Sequence, residues 1–172
     1  MSADESDRTM QIRTERLLLR PLSLADADGY GRLLADPAVH PFVVESGPVP
    51  QERIPDRIAR KQQEWADGTA ATRAVLRDEE CIGYVALHDL GKPRVAMNYA
   101  MAPDHQRRGH AAEAVAAVLG RAAELGCGDV EARTHPDNEA SARLLSRAGF
   151  IEMEPETDPA RRVFVWTSTP LG

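Results

Sequence analysis

Apolar residues change their spacing part-way through "TERLLLRPLSLADADGYGRLLAD". Leu17 and Leu19 alternate with Arg16, Leu18 and Arg20, a period of two that predicts a strand ended by Pro21. From Ser23, a residue suited to N-capping, the spacing lengthens, and Leu24, Ala27, Tyr30 and Leu34 recur at helical intervals. Asp36-Pro37 closes that helix, because the residue before a proline avoids the α region. A second helix follows the loop "AVHPFVVESGPVP", with Ile54, Ile58 and Trp65 on one side and an end near Gly68. Pro55 falls in its first turns, where a missing N–H costs little.

Strand patterns then dominate. "ATRAVLR" and "CIGYVALHD" flank the charged turn Asp78-Glu79-Glu80, and "RVAMNYAM" follows the turn "GKP". Ala71 to Met101 is therefore expected to be an antiparallel meander, its strands adjacent in sequence. A long alanine-rich helix comes next, with Ala111, Val115, Val118, Ala122 and Leu125 as its buried stripe. The strand "DVEART", the loop "HPDN", a helix from about Glu139 to Ala148, a strand opening at Gly149-Phe150 and the strand "RVFVWT" complete the pattern.

Composition narrows the class. The 172 residues are 42% hydrophobic and 28% charged, as in an ordinary globular domain. The expected organisation is a polar, disordered N-terminus over residues 1–10 and one domain over 11–172. Residues 1–10 lack the basic start and apolar centre of a signal peptide, and no apolar run is long enough to span a bilayer. A cytoplasmic protein without membrane contact is the expectation. The formal charge of −6 argues against direct nucleic-acid binding. Cys81 and Cys127 make no disulfide framework, and neither has an evident histidine partner. His105, His110 and His135 do not have metal-ligand spacing, so no metal is expected.

The chemistry concentrates where "HQRRGHAAEAVAAVLG" passes from a basic turn into a helix through Gly109. A helix start presents N–H groups without internal partners and carries roughly half a positive charge. Gly109 lets a ligand approach the backbone, and Arg107 and Arg108 add cationic charge. The same residues also suit a basic turn capping an ordinary amphipathic helix. The turn is neither a Walker loop nor a dinucleotide-binding GxGxxG.

Gln106-Arg107-Arg108-Gly109-His110-Ala111 resembles the Q/R-x-x-G-x-G/A loop of the GNAT superfamily, which binds the pyrophosphate of acetyl-CoA. "NEASARLLSRAGF", Asn138–Phe150, is similar to that family's second cofactor segment. "TERLLLRPL" resembles the first strand of the RimJ/RimL branch, which acetylates N-termini of ribosomal proteins. The resemblance implies an α+β GNAT fold: a mixed, mostly antiparallel sheet of about six to seven strands flanked by helices, with an acetyl-CoA cleft between two splayed strands.

It also implies the residues. Gln106, Arg107, Arg108, Gly109, His110 and Ala111 would meet the pyrophosphate. The backbone around Ala100, Met101 and Ala102 would pair with the pantetheine arm, and Asn138 would cap its helix and bond the same arm. An N–H near Met101 would donate to charge developing on the thioester oxygen. Many relatives carry a proton-donating tyrosine just before "SRAGF"; here that position is Leu145. Ser141 then becomes the candidate acid or thiolate donor, although a serine in a first helical turn is also an ordinary local hydrogen-bonding residue. Relatives often place a glutamate ahead of the residue matching Tyr99, whereas Val95–Asn98 contains no carboxylate. Asn98, Tyr99, His88 and Glu45 are the residues expected to line or approach the cleft, Ser141, Asn98 and Tyr99 being the catalytic candidates. A base matters more for a lysine acceptor (pKa about 10.4) than for an α-amine (about 7.7), so the missing carboxylate leans toward an α-amino group or another amine of low pKa. The activity implied is acetyl transfer to a primary amine on a protein N-terminus or a small molecule, with an acyl-CoA-binding module as the alternative. The resemblance admits a homodimer.

Overall fold

Leu17 and Leu19 enter one hydrophobic core, whereas Leu18 and Leu22 enter another, so one short strand already separates the molecule into two layers. The computed structural model describes residues 11–43, 47–124, 127–154 and 160–168. Its eight-stranded sheet has the order β1-β2-β3-β4-β5-β6-β8-β7. The strands are β1 Ile12–Arg13, β2 Leu18–Pro21, β3 Ala70–Arg77, β4 Glu80–His88, β5 Arg94–Met101, β6 Asp129–Thr134, β7 Ile151–Met153 and β8 Arg162–Thr167. The helices are α1 Ala27–Ala35, α2 His40–Val43, α3 Ile54–Ala66, α4 His110–Glu124 and α5 Glu139–Arg147.

The fold is α+β, and the expected meander is β3–β4–β5, each pair antiparallel. The sheet has one or two strands more than expected. β1 pairs over two residues and β7 over three, lengths too short to carry a periodic signal. Among the described strands, only β5 and β6 pair in parallel, joined by a crossover through α4. The strand foreseen at Gly149-Phe150 begins at Ile151, and Gly149 turns the chain at φ +97°.

α4 and α5 cover one face of the sheet. Val115, Val118 and Ala122 are buried there as the spacing predicted, together with Ala114 and Leu119; Leu125 lies outside the described residues. α1 and α3 cover the other face through Tyr30, Leu33, Leu34, Ile54 and Ile58. Leu24 departs from its expected helical role. It sits in a 3₁₀ turn ahead of α1 and is 60% exposed. Asp26 there accepts the Ser23 N–H at 2.9 Å and receives both Arg20 guanidinium donors at 2.8 Å.

α1 reaches β4 through Gly29. A Cβ at this position would stand 2.5 Å from the Cys81 carbonyl oxygen, a backbone atom that cannot swing aside. Gly29→Ala would gain about 1 kcal/mol of helix propensity. Overpacking costs about 1–3 kcal/mol, and here the obstacle is rigid. A lower urea midpoint than that of the parent is expected, and a raised midpoint would contradict the close approach.

Candidate active site

β5 and β6 hold together over only part of their length. Their pairing runs from Arg94↔Asp129 to Met97↔Ala132 and then stops. Beyond it, β5 continues to Met101 paired only with β4, and β6 continues to Thr134 paired only with β8. A wedge-shaped opening therefore separates Asn98–Met101 from Arg133–Thr134.

The ladder decides which backbone groups face this opening. The Ala102 N–H donates to the Ile82 carbonyl at 2.7 Å, and the Ala102 carbonyl accepts from His105 N–H at 2.9 Å. Bonding alternates along an antiparallel strand, so Ala100 also turns its backbone groups to β4. The groups facing the opening are those of Tyr99 and Met101. Ala102 and Ala100 were expected to offer such groups; in the structure theirs are engaged within the protein. The Met101 carbonyl accepts from Gln106 Nε2 at 2.9 Å, so Gln106 ties the loop to the strand end.

Side chains on one face of the sheet meet across the opening. The Tyr99 hydroxyl and Ser141 Oγ lie 2.6 Å apart, although 42 positions separate them in sequence. Burial pushes the Tyr99 phenol up to about 12, only partly opposed by its bond to Ser141. The phenol therefore keeps its proton throughout the physiological range. Asn138 Oδ1 accepts the Ser141 N–H at 3.1 Å and so caps α5. Leu145, where many relatives carry a tyrosine, is fully buried in the core.

Asn98 belongs to the other face, beside Ala86 and the layer of α1 and α3. Its Oδ1 lies 3.1 Å from His88 Nε2. The structure thus joins Tyr99 with Ser141 and Asn98 with His88, on opposite sides of the sheet. α2 lies on the His88 side. Val43 packs against the same hydrophobic cluster as Ala102, and Phe42 meets the His135 ring edge-on at 5.7 Å between centroids. α2 falls within the expected acceptor loop. Glu45 and most of the loop "EPETDPARR" lie outside the described residues.

At the end of β5 a 3₁₀ turn, Pro103–His105, leads to the turn before α4. Arg107 and Gly109 both adopt left-handed backbone, at φ +60° and +80°, with Arg108 between them at negative φ. Alternation of this kind gathers successive N–H groups into a concave, anion-binding nest. Among the described residues, no backbone or side-chain acceptor meets the N–H groups of Arg107 through Ala112. His110 turns its ring inward, 2% exposed, with Nδ1 bonded to the His105 carbonyl at 3.2 Å. Burial lowers its pKa, so the ring anchors the turn without a charge of its own.

Three residues here escaped the sequence reading. Thr14 Oγ1 donates to Glu113 Oε1 at 2.6 Å; the Arg16 N–H and Nε bond Glu113 at 2.9 and 2.7 Å; Arg16 Nη1 donates to the Arg108 carbonyl at 2.8 Å. Thr14 and Arg16 were visible only as part of "TERLLLRPL", nearly a hundred positions from their partner. Thr134 is the third. Its hydroxyl, at the end of β6, is buried without a partner among the described residues.

These features fit acetyl-CoA. A bare concave turn suits a diphosphate, an unpaired strand edge suits the amides of pantetheine, and the orphaned Thr134 hydroxyl supplies a polar group beside that edge. Among the described residues no group of three His, Cys, Asp or Glu side chains could hold a metal ion, and no helix is long and apolar enough to cross a membrane.

A family model described as an acetyltransferase (GNAT) domain matches residues 16–151. The chain is 30% identical over 148 residues to the uncharacterized N-acetyltransferase YoaA of Bacillus subtilis, with 81% of each chain covered. It resembles the crystal structure of an acetyltransferase from Agrobacterium tumefaciens at a TM-score of 0.76 and 28% identity, covering 91% of this chain and 93% of the other. Its fold also matches RimL, the ribosomal L7/L12 α-N-protein acetyltransferase solved with coenzyme A, at a TM-score of 0.81 and 14% identity, covering 91% and 97%.

Proposed function

The chain belongs to the GNAT acetyltransferase family, and on that premise we propose that it acetylates the α-amino group of a protein or peptide N-terminus, using acetyl-CoA in a ternary complex. Acetyl-CoA supplies an activated acyl group as a thioester. The nest at Arg107–Ala111 holds the diphosphate through backbone N–H groups and the α4 dipole. The Met101 N–H and the Tyr99 carbonyl, with the Asn138 side chain and the Thr134 hydroxyl, bind the pantetheine amides, the Met101 carbonyl being held by Gln106. This places the reacting end near the apex of the opening, at Met97 and Ala132, with the Tyr99 N–H as a donor to the carbonyl oxygen.

The observation that carries the reading is the Tyr99–Ser141 pair at 2.6 Å across the opening. With Tyr99 donating to Ser141, the serine offers its own proton to the leaving sulfur and the phenol restores it; the proton shed by the acetylated nitrogen returns to the phenolate through water, so CoA leaves as the thiol and the pair is reset. The tyrosine lacking at position 145 thus has a counterpart delivered from the opposite strand. The acceptor approaches from the other face, past Phe42 and His135, to the apex where Asn98 and His88 stand. His88 and Asn98 can orient an amine there, and neither supplies a carboxylate. A neutral amine is therefore needed, which an α-amine provides at neutral pH and a lysine scarcely does.

Purified protein incubated with acetyl-CoA and peptides bearing a free α-amine, a lysine alone or neither tests this by mass spectrometry and release of free CoA. Acetylation of the α-amine is expected. The pH profile of kcat/KM should rise with deprotonation of the amine and level off near pH 8. Because the Tyr99 phenol titrates at about 12, no downturn from its ionisation is expected below about pH 10. Acetylation confined to lysine, or a rate still climbing at pH 9.5, would overturn the α-amine assignment.

A further inference from the structure

Glu113 sits in the first turn of α4, where its negative charge should oppose a diphosphate bound at the helix start. The helix dipole favours an acid there, whereas a bound diphosphate would be repelled by it. Its surroundings give it a different meaning. The carboxylate accepts from the Thr14 hydroxyl, the Arg16 N–H and Arg16 Nε, so the turn between β1 and β2 is fastened to α4. Burial by itself would raise the Glu113 pKa, yet these three donors together hold it below the ordinary glutamate value. The carboxylate is accordingly ionised and its charge is matched by Arg16 at 2.7 Å.

The same guanidinium makes a second bond, from Nη1 to the Arg108 carbonyl. The peptide joining Arg108 to Gly109 is trans and planar, so its carbonyl and its N–H point in opposite directions. Fixing the carbonyl on the Arg16 side turns the Gly109 N–H away from Arg16, out of the loop. The remaining nitrogen, Nη2, has no acceptor among the described residues and lies 3.2 Å from where a Gly109 Cβ would stand. Glu113 orients the guanidinium, and the guanidinium orients the peptide.

We infer that Thr14, Arg16 and Glu113 form a positioning latch that presets the Gly109 peptide for the donor's diphosphate. The latch rests on the acetyl-CoA reading of the nest. Glu113 and Arg16 are positioning residues: they act through the loop backbone, and Arg16 also offsets the charge that Glu113 brings.

The test compares acetyl-CoA with acetyl-pantetheine, which keeps the thioester and lacks the diphosphate. In the parent protein kcat/KM should favour acetyl-CoA strongly. In Glu113→Ala the preference should fall about tenfold, and Kd for CoA by calorimetry should rise by a similar factor. Glu113→Gln, which keeps an acceptor oxygen, should recover most of the preference. Simple charge repulsion predicts the opposite sign, tighter CoA binding in both variants, and that result or an unchanged preference would overturn the latch. Arg16→Lys keeps the charge and loses the fork. It should lower the preference as Glu113→Ala does, and it decides the matter should the alanine variant fail to fold. A parent protein that favours neither donor would refute the diphosphate reading itself, an outcome distinct from failure of the latch.

Discussion

Gly109→Val is expected to weaken binding of CoA by about 100-fold, equivalent to about 2.7 kcal/mol. Two costs add. Gly109 lies at φ +80°, where a β-branched residue is a steric outlier, and such strain amounts to about 1–3 kcal/mol. A Cβ would also stand 3.2 Å from Arg16 Nη2, forcing the guanidinium or the loop to shift. The loop relieves both by moving its backbone out of the nest, which removes the N–H groups the diphosphate needs. Gly109→Ala carries the strain without the branching, and about a tenfold loss is expected. Calorimetry with CoA measures both, and circular dichroism confirms that the fold survives. Affinity unchanged in the valine variant would remove the anion-binding role from this turn.

Removing either partner of the Tyr99–Ser141 pair should lower kcat by about 10- to 100-fold and change CoA affinity by less than about threefold. General acid assistance is worth about 10²–10⁴-fold, and a residual water-mediated route accounts for the lower figure. Ser141→Ala leaves a phenol without its partner, so about 1–3 kcal/mol of stability should go with it. Tyr99→Phe leaves the serine hydroxyl half-exposed, where water can bond it, and should be milder in stability but equal in rate. Groups that act as one relay are not additive, so the double variant should be no slower than the worse single one. Single-turnover kinetics with saturating acetyl-CoA reads these effects directly. Unaltered kcat in Ser141→Ala would return that side chain to a structural role, and multiplicative losses in the double variant would dissolve the relay.

The layering of the fold was legible because burial leaves a periodic trace. Tyr30, Ile54, Ile58, Val115 and Val118 all fall where their spacing placed them. Leu24 misled because a leucine in a 3₁₀ turn looks, in sequence, like the first residue of the helix it precedes. The turn proposed to hold the diphosphate could be picked out for another reason: its motif lies within six consecutive residues. The remainder of the site depends on what the sheet brings together. Tyr99 and Ser141 were each visible, but their union across the opening follows from the parting of β5 and β6. The outward direction of Met101, and the inward direction of Ala102, follow from hydrogen-bond parity with β4, which composition does not encode. Glu113 in sequence is an acid that suits the start of a helix and opposes a phosphate there; its bonds to Thr14 and Arg16, nearly a hundred positions away, come only with the fold.

The half-zipped seam between β5 and β6 has a thermodynamic consequence. Only four residue pairs, Arg94↔Asp129 to Met97↔Ala132, stitch the first five strands to the last three along the sheet. On the proposed binding mode, a donor lying in the opening would continue that seam with its own amides and give the two portions a shared edge. The substrate would then be a temporary piece of the scaffold: occupancy would stabilise the folded molecule by mass action, and each departure of product would leave the seam ready to be completed again.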